Sequence, residues 1–278
     1  MSFRLANVAG RAALVEGEHY YDLETSSGGS LTSDPMAALM AHAELHAVAA
    51  GLGDMDPTGS VADVELGSPV PSPRSVFAIG LNYADHAAES SMELPEVPLV
   101  FTKFPSCIVG ADADVVLDSE AADYEAEVVV VIGDGGRDIL AADAWDHIAG
   151  VTGGQDISDR ALQFAAKPPH FDLGKSRDTY GPVGPVLVST DLFDDPNAIS
   201  IECRVNGQVR QSSSTASLIF DVPTLVEYLS SILTLHTGDL IFTGTPDGVG
   251  ASKLMFLAPG DVIETSIGGV GDFANTCV

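Results

Sequence analysis

Apolar residues in this chain recur mostly at every second position or in short unbroken runs, which is strand patterning rather than helix patterning. The strongest run, Asp123-Tyr-Glu-Ala-Glu-Val-Val-Val-Val-Ile-Gly133, is β-branched, starts among polar residues and stops at a glycine, so it predicts a buried strand. Val76–Ile79, Val97–Thr102, Ile199–Val205 and Val262–Ile267 predict further strands, the last after an Ala258-Pro-Gly-Asp261 turn. Asn206-Gly207 before Gln208–Arg210 predicts a hairpin, because both turn residues tolerate positive φ. Helical spacing is confined to a few stretches. Pro35–Ala50 is alanine-rich and ends at Gly51; Asp221–Leu235 places Leu225, Leu229 and Ile232 on one face, with Pro223 near its start and Gly238 after its end. Ala141–Ile148 is amphipathic, and Asn82 suits an N-cap for a short helix over Tyr83–Ser90.

This pattern predicts an α+β, β-rich chain. The proline-rich Ser68-Pro-Val-Pro-Ser-Pro73 divides it into a small N-terminal α/β domain, residues 1–70, and a larger domain, residues 71–278.

Candidate chemistry begins on the strongest strand. Glu125 and Glu127 are two apart and project to one side, followed on that side by apolar Val129 and Val131. Two carboxylates at the mouth of a buried surface repel each other and call for a cation. Asp156, in the glycine-flanked Thr152-Gly-Gly-Gln-Asp156, read as a turn, offers a third oxygen ligand, and such a set suits Mg²⁺ or Mn²⁺. His86 and Glu89, three apart on the predicted short helix, form either a surface ion pair or an oriented general base. Lys175 stands among glycines and small polar residues and could bind an oxyanion or approach the metal site. Ala165–His170 reads as a loop able to act as a lid, and the glycine-rich loop after Phe242 offers backbone N–H groups and Thr245 to a carboxylate. His42 and His46 are four apart without a third ligand and read as surface residues. No P-loop, G-x-G-x-x-G or G-x-S-x-G pattern occurs.

Composition removes several partners. Forty acidic residues against twelve basic ones give a formal charge of −28, which repels nucleic acid and anionic membranes. Only four lysines are present, and acid-rich, lysine-poor composition is expected of a protein working in high salt. Three scattered cysteines, Cys107, Cys203 and Cys277, argue against a disulfide framework and for a reducing cytoplasm. Neither an apolar leader nor a membrane-length segment is apparent, so the expectation is a soluble cytoplasmic protein.

Several motifs then fall into one order: Gly80-Leu-Asn-Tyr-Ala-Asp-His86-Ala-Ala-Glu89, Tyr124-Glu125-Ala-Glu127, Gly150–Asp156, Lys175 to Pro185, Phe242-Thr-Gly-Thr-Pro-Asp-Gly-Val-Gly250, and Pro259-Gly-Asp261. Over residues 70–278 this order resembles the fumarylacetoacetate hydrolase family. The resemblance implies a mixed β-roll catalytic domain, usually in a homodimer, with Mg²⁺ (or Mn²⁺ or Ca²⁺) held by Glu125, Glu127 and Asp156. It implies that His86 and Glu89 activate water, that Lys175 stands by the metal, and that Gln163 and Thr245 contact substrate. Members that cleave acylpyruvates often carry arginine where this chain has Leu81; Arg177, where an aromatic residue is more usual, could supply that charge. The expected activity is metal-dependent hydrolysis of a C–C bond in a small 2-oxo acid or 1,3-dicarbonyl. The alternatives are an oxaloacetate-type decarboxylase or a 2-hydroxyhepta-2,4-diene-1,7-dioate isomerase, and, furthest from these, a non-catalytic binding relative.

Overall fold

The computed structural model describes residues 2–85 and 94–278. His86, Glu89 and most of the helix expected over Tyr83–Ser90 lie outside the described residues. The chain opens with strands β1 (Arg4–Val8), β2 (Arg11–Glu16) and β3 (His19–Asp22), then helices α1 (Pro35–Met40) and α2 (His42–Ala49). Strands β4 (Val76–Gly80), β5 (Leu99–Thr102), β6 (Ala126–Ile132) and β7 (Ile148–Gln155) follow, then the short helix α3 (Arg160–Gln163) and β8 (Gly181–Val188). A hairpin of β9 (Ser200–Val205) and β10 (Gln208–Ser214), helix α4 (Val222–Ile232), β11 (Leu240–Phe242), β12 (Val262–Ile267) and β13 (Gly271–Thr276) complete the chain.

The longer strands of the large sheet run in the order β3-β2-β1-β8-β7-β6-β11-β4-β5. Most neighbours are antiparallel, whereas β11 and β4 are parallel, so the sheet is mixed. A second antiparallel sheet, β10-β9-β12-β13, packs against it. Between them Val128, Val151 and Val188 meet Ile201, Cys203, Ile263 and Ile267. Alternation along β6 then divides its side chains among cores. Val129 and Val131 turn the other way, to Phe242, Leu187 and the N-terminal Leu5, Leu14 and Leu39. Val130 and Ile132 join Ile148 and Ile241 beneath Val222, Leu225, Val226 and Leu229 of α4; of the stripe its spacing predicted, Leu225 and Leu229 are buried, whereas Ile232 at the helix end is exposed. The N-terminal strands are not a separate sheet: Arg4 and Leu5 pair with Val188 and Leu187.

Several local expectations change. Thr152–Asp156 is not a turn. Thr152 to Gln155 end the wholly buried β7, with Asp156 directly after it. The glycines there serve close packing, since a Cβ on Gly154 would lie 2.7 Å from Phe242 and Val129. The Pro35–Ala50 helix breaks at Ala41 into two, and β13 adds a strand after Val262–Ile267. His42 and His46 are half-buried rather than free at the surface, with His46 edge-on to Phe3 at 4.9 Å. Asn82 reaches across the fold: its Nδ2 donates to the carbonyls of Phe220 and Thr243, and its Oδ1 accepts from Phe220 N–H. The hairpin is as expected, with Asn206 and Gly207 both at positive φ. No helix of the described residues is long and apolar enough to cross a membrane.

Candidate active site

Strand β6 begins where the large sheet opens onto a cavity of about 450 Å³. Glu127 lies inside β6 and Glu125 just before it, both lining this cavity. Asp156 is brought alongside by the antiparallel partner β7. Its N–H donates to the Glu125 carbonyl at 2.8 Å, while Glu125 N–H donates to Gln155 Oε1 at 3.0 Å. Carboxylate oxygens of Glu125, Glu127 and Asp156 lie within 4.8 Å of one another, and all three residues are buried.

Two lysines hold this cluster together. Lys175 Nζ donates to Glu125 Oε2 at 2.5 Å and to Asp156 Oδ2 at 2.7 Å. Lys103, whose side chain is 0% exposed, donates to Asp156 Oδ1 at 2.8 Å, to the Tyr180 carbonyl at 2.9 Å and to the Lys175 carbonyl. Burial pulls the Lys103 ammonium toward deprotonation, but the acidic groups around it, Asp156 foremost with Cys107 and Glu125, together outweigh this, so its pKa is raised. Arg160, the first residue of α3, donates to Glu125 Oε1 at 2.5 Å, to Asp123 Oδ2 and to Gln163 Oε1. Asp123 in turn accepts from the N–H groups of Gly250 and Ala251.

Glu127 differs from the other two carboxylates. Among the described residues it has no ion-pair partner, and its hydrogen bond comes from Gly244 N–H at 2.7 Å. Burial first, then Asp156 and Glu125, push its pKa well above the usual carboxylate range. A buried, like-charged trio of oxygen donors with one undercompensated member fits a hard divalent cation. The glycine-rich loop thus offers an N–H to a carboxylate, as its sequence suggested, but the carboxylate is the protein's own.

Of the predicted residues, Glu125, Glu127, Gln163, Lys175 and Thr245 all line one cavity, and Asp156, which is not on its wall, is bonded to Lys175. Thr245 Oγ1 donates to the Ala126 carbonyl and accepts from Gln211 Nε2. Among the described residues Arg177 is the exception. It pairs with Asp159 Oδ2 at 2.8 Å and is not among the residues lining the cavity, so it does not stand in for the arginine that Leu81 replaces. Asp159 has already been drawn into capping α3, accepting from Leu162 N–H, and this fixes Arg177 with it. Sequence reasoning missed Lys103, Arg160 and Asp123. The rarity of lysine that marked Lys175 applies equally to Lys103, and Arg160 follows Asp156 by four residues on the element that carries Gln163.

Residues 75–278 match the sequence model of the fumarylacetoacetate (FAA) hydrolase C-terminal family. The chain is 44% identical over 225 residues to oxaloacetate tautomerase YisK of Bacillus subtilis, covering 78% of this chain and 74% of that one. It is 37% identical over 283 residues to the human mitochondrial oxaloacetate tautomerase FAHD2A, covering 96% and 90%. Among solved structures it superposes on maleylpyruvate hydrolase from Sphingobium sp. SYK-6, in complex with manganese(II) and pyruvate. That match has a TM-score of 0.82 and 28% identity over 99% of this chain and 98% of that one. The ordered motifs, the carboxylate trio and these matches agree: the chain belongs to the fumarylacetoacetate hydrolase family.

Proposed function

We propose that this chain is an isomerase of the oxaloacetate tautomerase type, interconverting the keto and enol forms of a small 2-oxo acid. The observation that carries the reading is the carboxylate trio, with Lys175 bonded to Glu125 and Asp156 and with Glu125, Glu127 and Lys175 lining one cavity. Enolisation takes a proton from C3, forms the C2–C3 double bond and leaves negative charge on the 2-oxo oxygen. A divalent cation held by Glu125, Glu127 and Asp156 supplies Lewis-acid polarisation of that oxo group. The Lys175 ammonium, fixed by two carboxylates, is preorganised to meet the developing oxyanion, and Lys103 holds both Asp156 and the Lys175 backbone in place. His86, supported by Glu89, is assigned the proton transfer at C3; both lie outside the described residues and are placed by motif alone. Mg²⁺ or Mn²⁺ and a homodimer accompany the reading from the family resemblance, and a cytoplasmic setting from the three scattered cysteines.

Sequence reasoning put C–C hydrolysis first. The names of the tautomerase relatives favour the isomerase alternative instead, and the maleylpyruvate hydrolase neighbour keeps hydrolysis as the second reading. Both reactions pass through an enolate, and only hydrolysis adds water. NMR in D₂O with oxaloacetate and maleylpyruvate, against a cation-only control, separates them. The expected result is accelerated deuterium exchange at C3 of oxaloacetate with no new product. Cleavage of maleylpyruvate, with C3 exchange at the control rate, would replace the isomerase with a hydrolase.

A further inference from the structure

Only four lysines occur in the chain, and all four belong to the candidate site or to two segments at its mouth. Lys103 and Lys175 are bonded to the site's carboxylates. Lys167 lies between Phe164 and Phe171, which both line the cavity, and Lys253 directly follows Ser252, another lining residue. Phe164 and Ser252 are exposed as well as lining, which places their segments where the cavity meets solvent. Lys167 and Lys253 are exposed there too.

This placement runs against the composition. A formal charge of −28 over 278 residues sets up a field that repels anions from most of the surface. The two mouth segments depart from it. Residues 164–173 set Lys167 against Asp172, and residues 245–255 set Lys253 against Asp247. Asp172 is moreover turned onto Thr102, whose N–H and hydroxyl donate to its Oδ1 at 2.8 and 3.3 Å. Charge-balanced segments at the mouth leave a window in an otherwise acidic surface. A 2-oxo acid arrives as an anion, and charges act on it over a Debye length of about 10 Å at about 0.1 M salt. The mouth lysines therefore meet it before the buried pair does.

We propose that Lys167 and Lys253 form the entry of the site, admitting an anionic 2-oxo acid through a surface that otherwise repels it. This rests on the tautomerase reading for the identity of the anion and adds the residues that select for its charge. The test compares wild type with Lys167→Gln/Lys253→Gln and with Arg11→Gln/Arg137→Gln, which removes the same charge at exposed positions off the cavity wall. Two quantities are read on the cation-loaded protein at about 0.02 M and about 1 M ionic strength. They are kcat/KM for C3 exchange of oxaloacetate and the calorimetric Kd of oxalate, a dianion with a similar chelating end. At low ionic strength the lysine variant should lose about threefold or more in both, with the loss in exchange carried by KM. At about 1 M it should match wild type, and the arginine variant should lose less than about twofold throughout. An unchanged lysine variant, an equal loss in the arginine variant, or a loss that persists at about 1 M would overturn the proposal. Should oxaloacetate not exchange while oxalate binds, the tautomerase reading falls and the oxalate Kd values alone decide. Oxalate that binds at neither ionic strength would overturn the entry as well.

Discussion

Lys103 carries its charge to a place without solvent, and three oxygens there keep it ionised. Replacing it by methionine leaves Asp156 Oδ1 without its cation, and removing one partner of a buried pair costs about 3–5 kcal/mol. Lys103→Met should therefore unfold at distinctly lower denaturant concentration, and Lys103→Arg should recover only part of the loss, because guanidinium geometry does not match three converging oxygens. A Lys103→Met variant as stable as wild type would show that the pair contributes nothing. At this scale much of the site was legible from sequence: alternation paired Glu125 with Glu127, and glycines marked Asp156 and Lys175. Lys103 was not, since a lysine at a strand end is ordinarily solvated. Only the long-range approach of Asp156 and Tyr180 makes it a core residue.

Elements turn these residues inward. Helix α3 is one turn long, and Asp159 caps it while holding Arg177 and accepting from Ser119. Burial pushes the Asp159 carboxyl up, but the bonds from Ser119, Leu162 N–H and Arg177 outweigh it and hold its pKa below the usual value. A carboxylate with a depressed folded pKa contributes stability that is present above its unfolded value of about 3.9 and is lost as pH falls through the folded pKa. Arg177→Gln should thus destabilise by about 1 kcal/mol or less at neutral pH. The deficit should shrink below about pH 4, as read by denaturant unfolding across pH. A deficit that stays constant down to pH 3 would contradict this linkage. Strand and hairpin patterns were readable because alternation and Asn206-Gly207 are local signals. The end of β7 was not, because Gly153 and Gly154 look like a turn until Ile267, Phe242 and Val129 press against them.

At the scale of the whole molecule, charge dominates. Forty acidic residues face twelve basic ones, and three of the twelve, Lys103, Arg160 and Lys175, are spent inside the site. The remaining surface repels itself, and screening relieves such repulsion. The melting temperature should rise between about 0.1 M and about 2 M KCl; a flat or falling dependence would contradict the high-salt expectation. The N-terminal strands, expected from sequence as a unit of their own, continue the large sheet through β1 and β8, a pairing that local patterning cannot reveal. The central claim is that Glu125, Glu127 and Asp156 form a cation site at which a 2-oxo acid enolises. Its most direct test is the rate of enol-oxaloacetate decay, followed by ultraviolet absorbance, as a divalent cation is titrated into wild type and Glu127→Gln. The account predicts a saturable, cation-dependent acceleration in wild type that Glu127→Gln lacks while remaining folded. Wild-type acceleration in Glu127→Gln, or cation-independent acceleration in both, would contradict it.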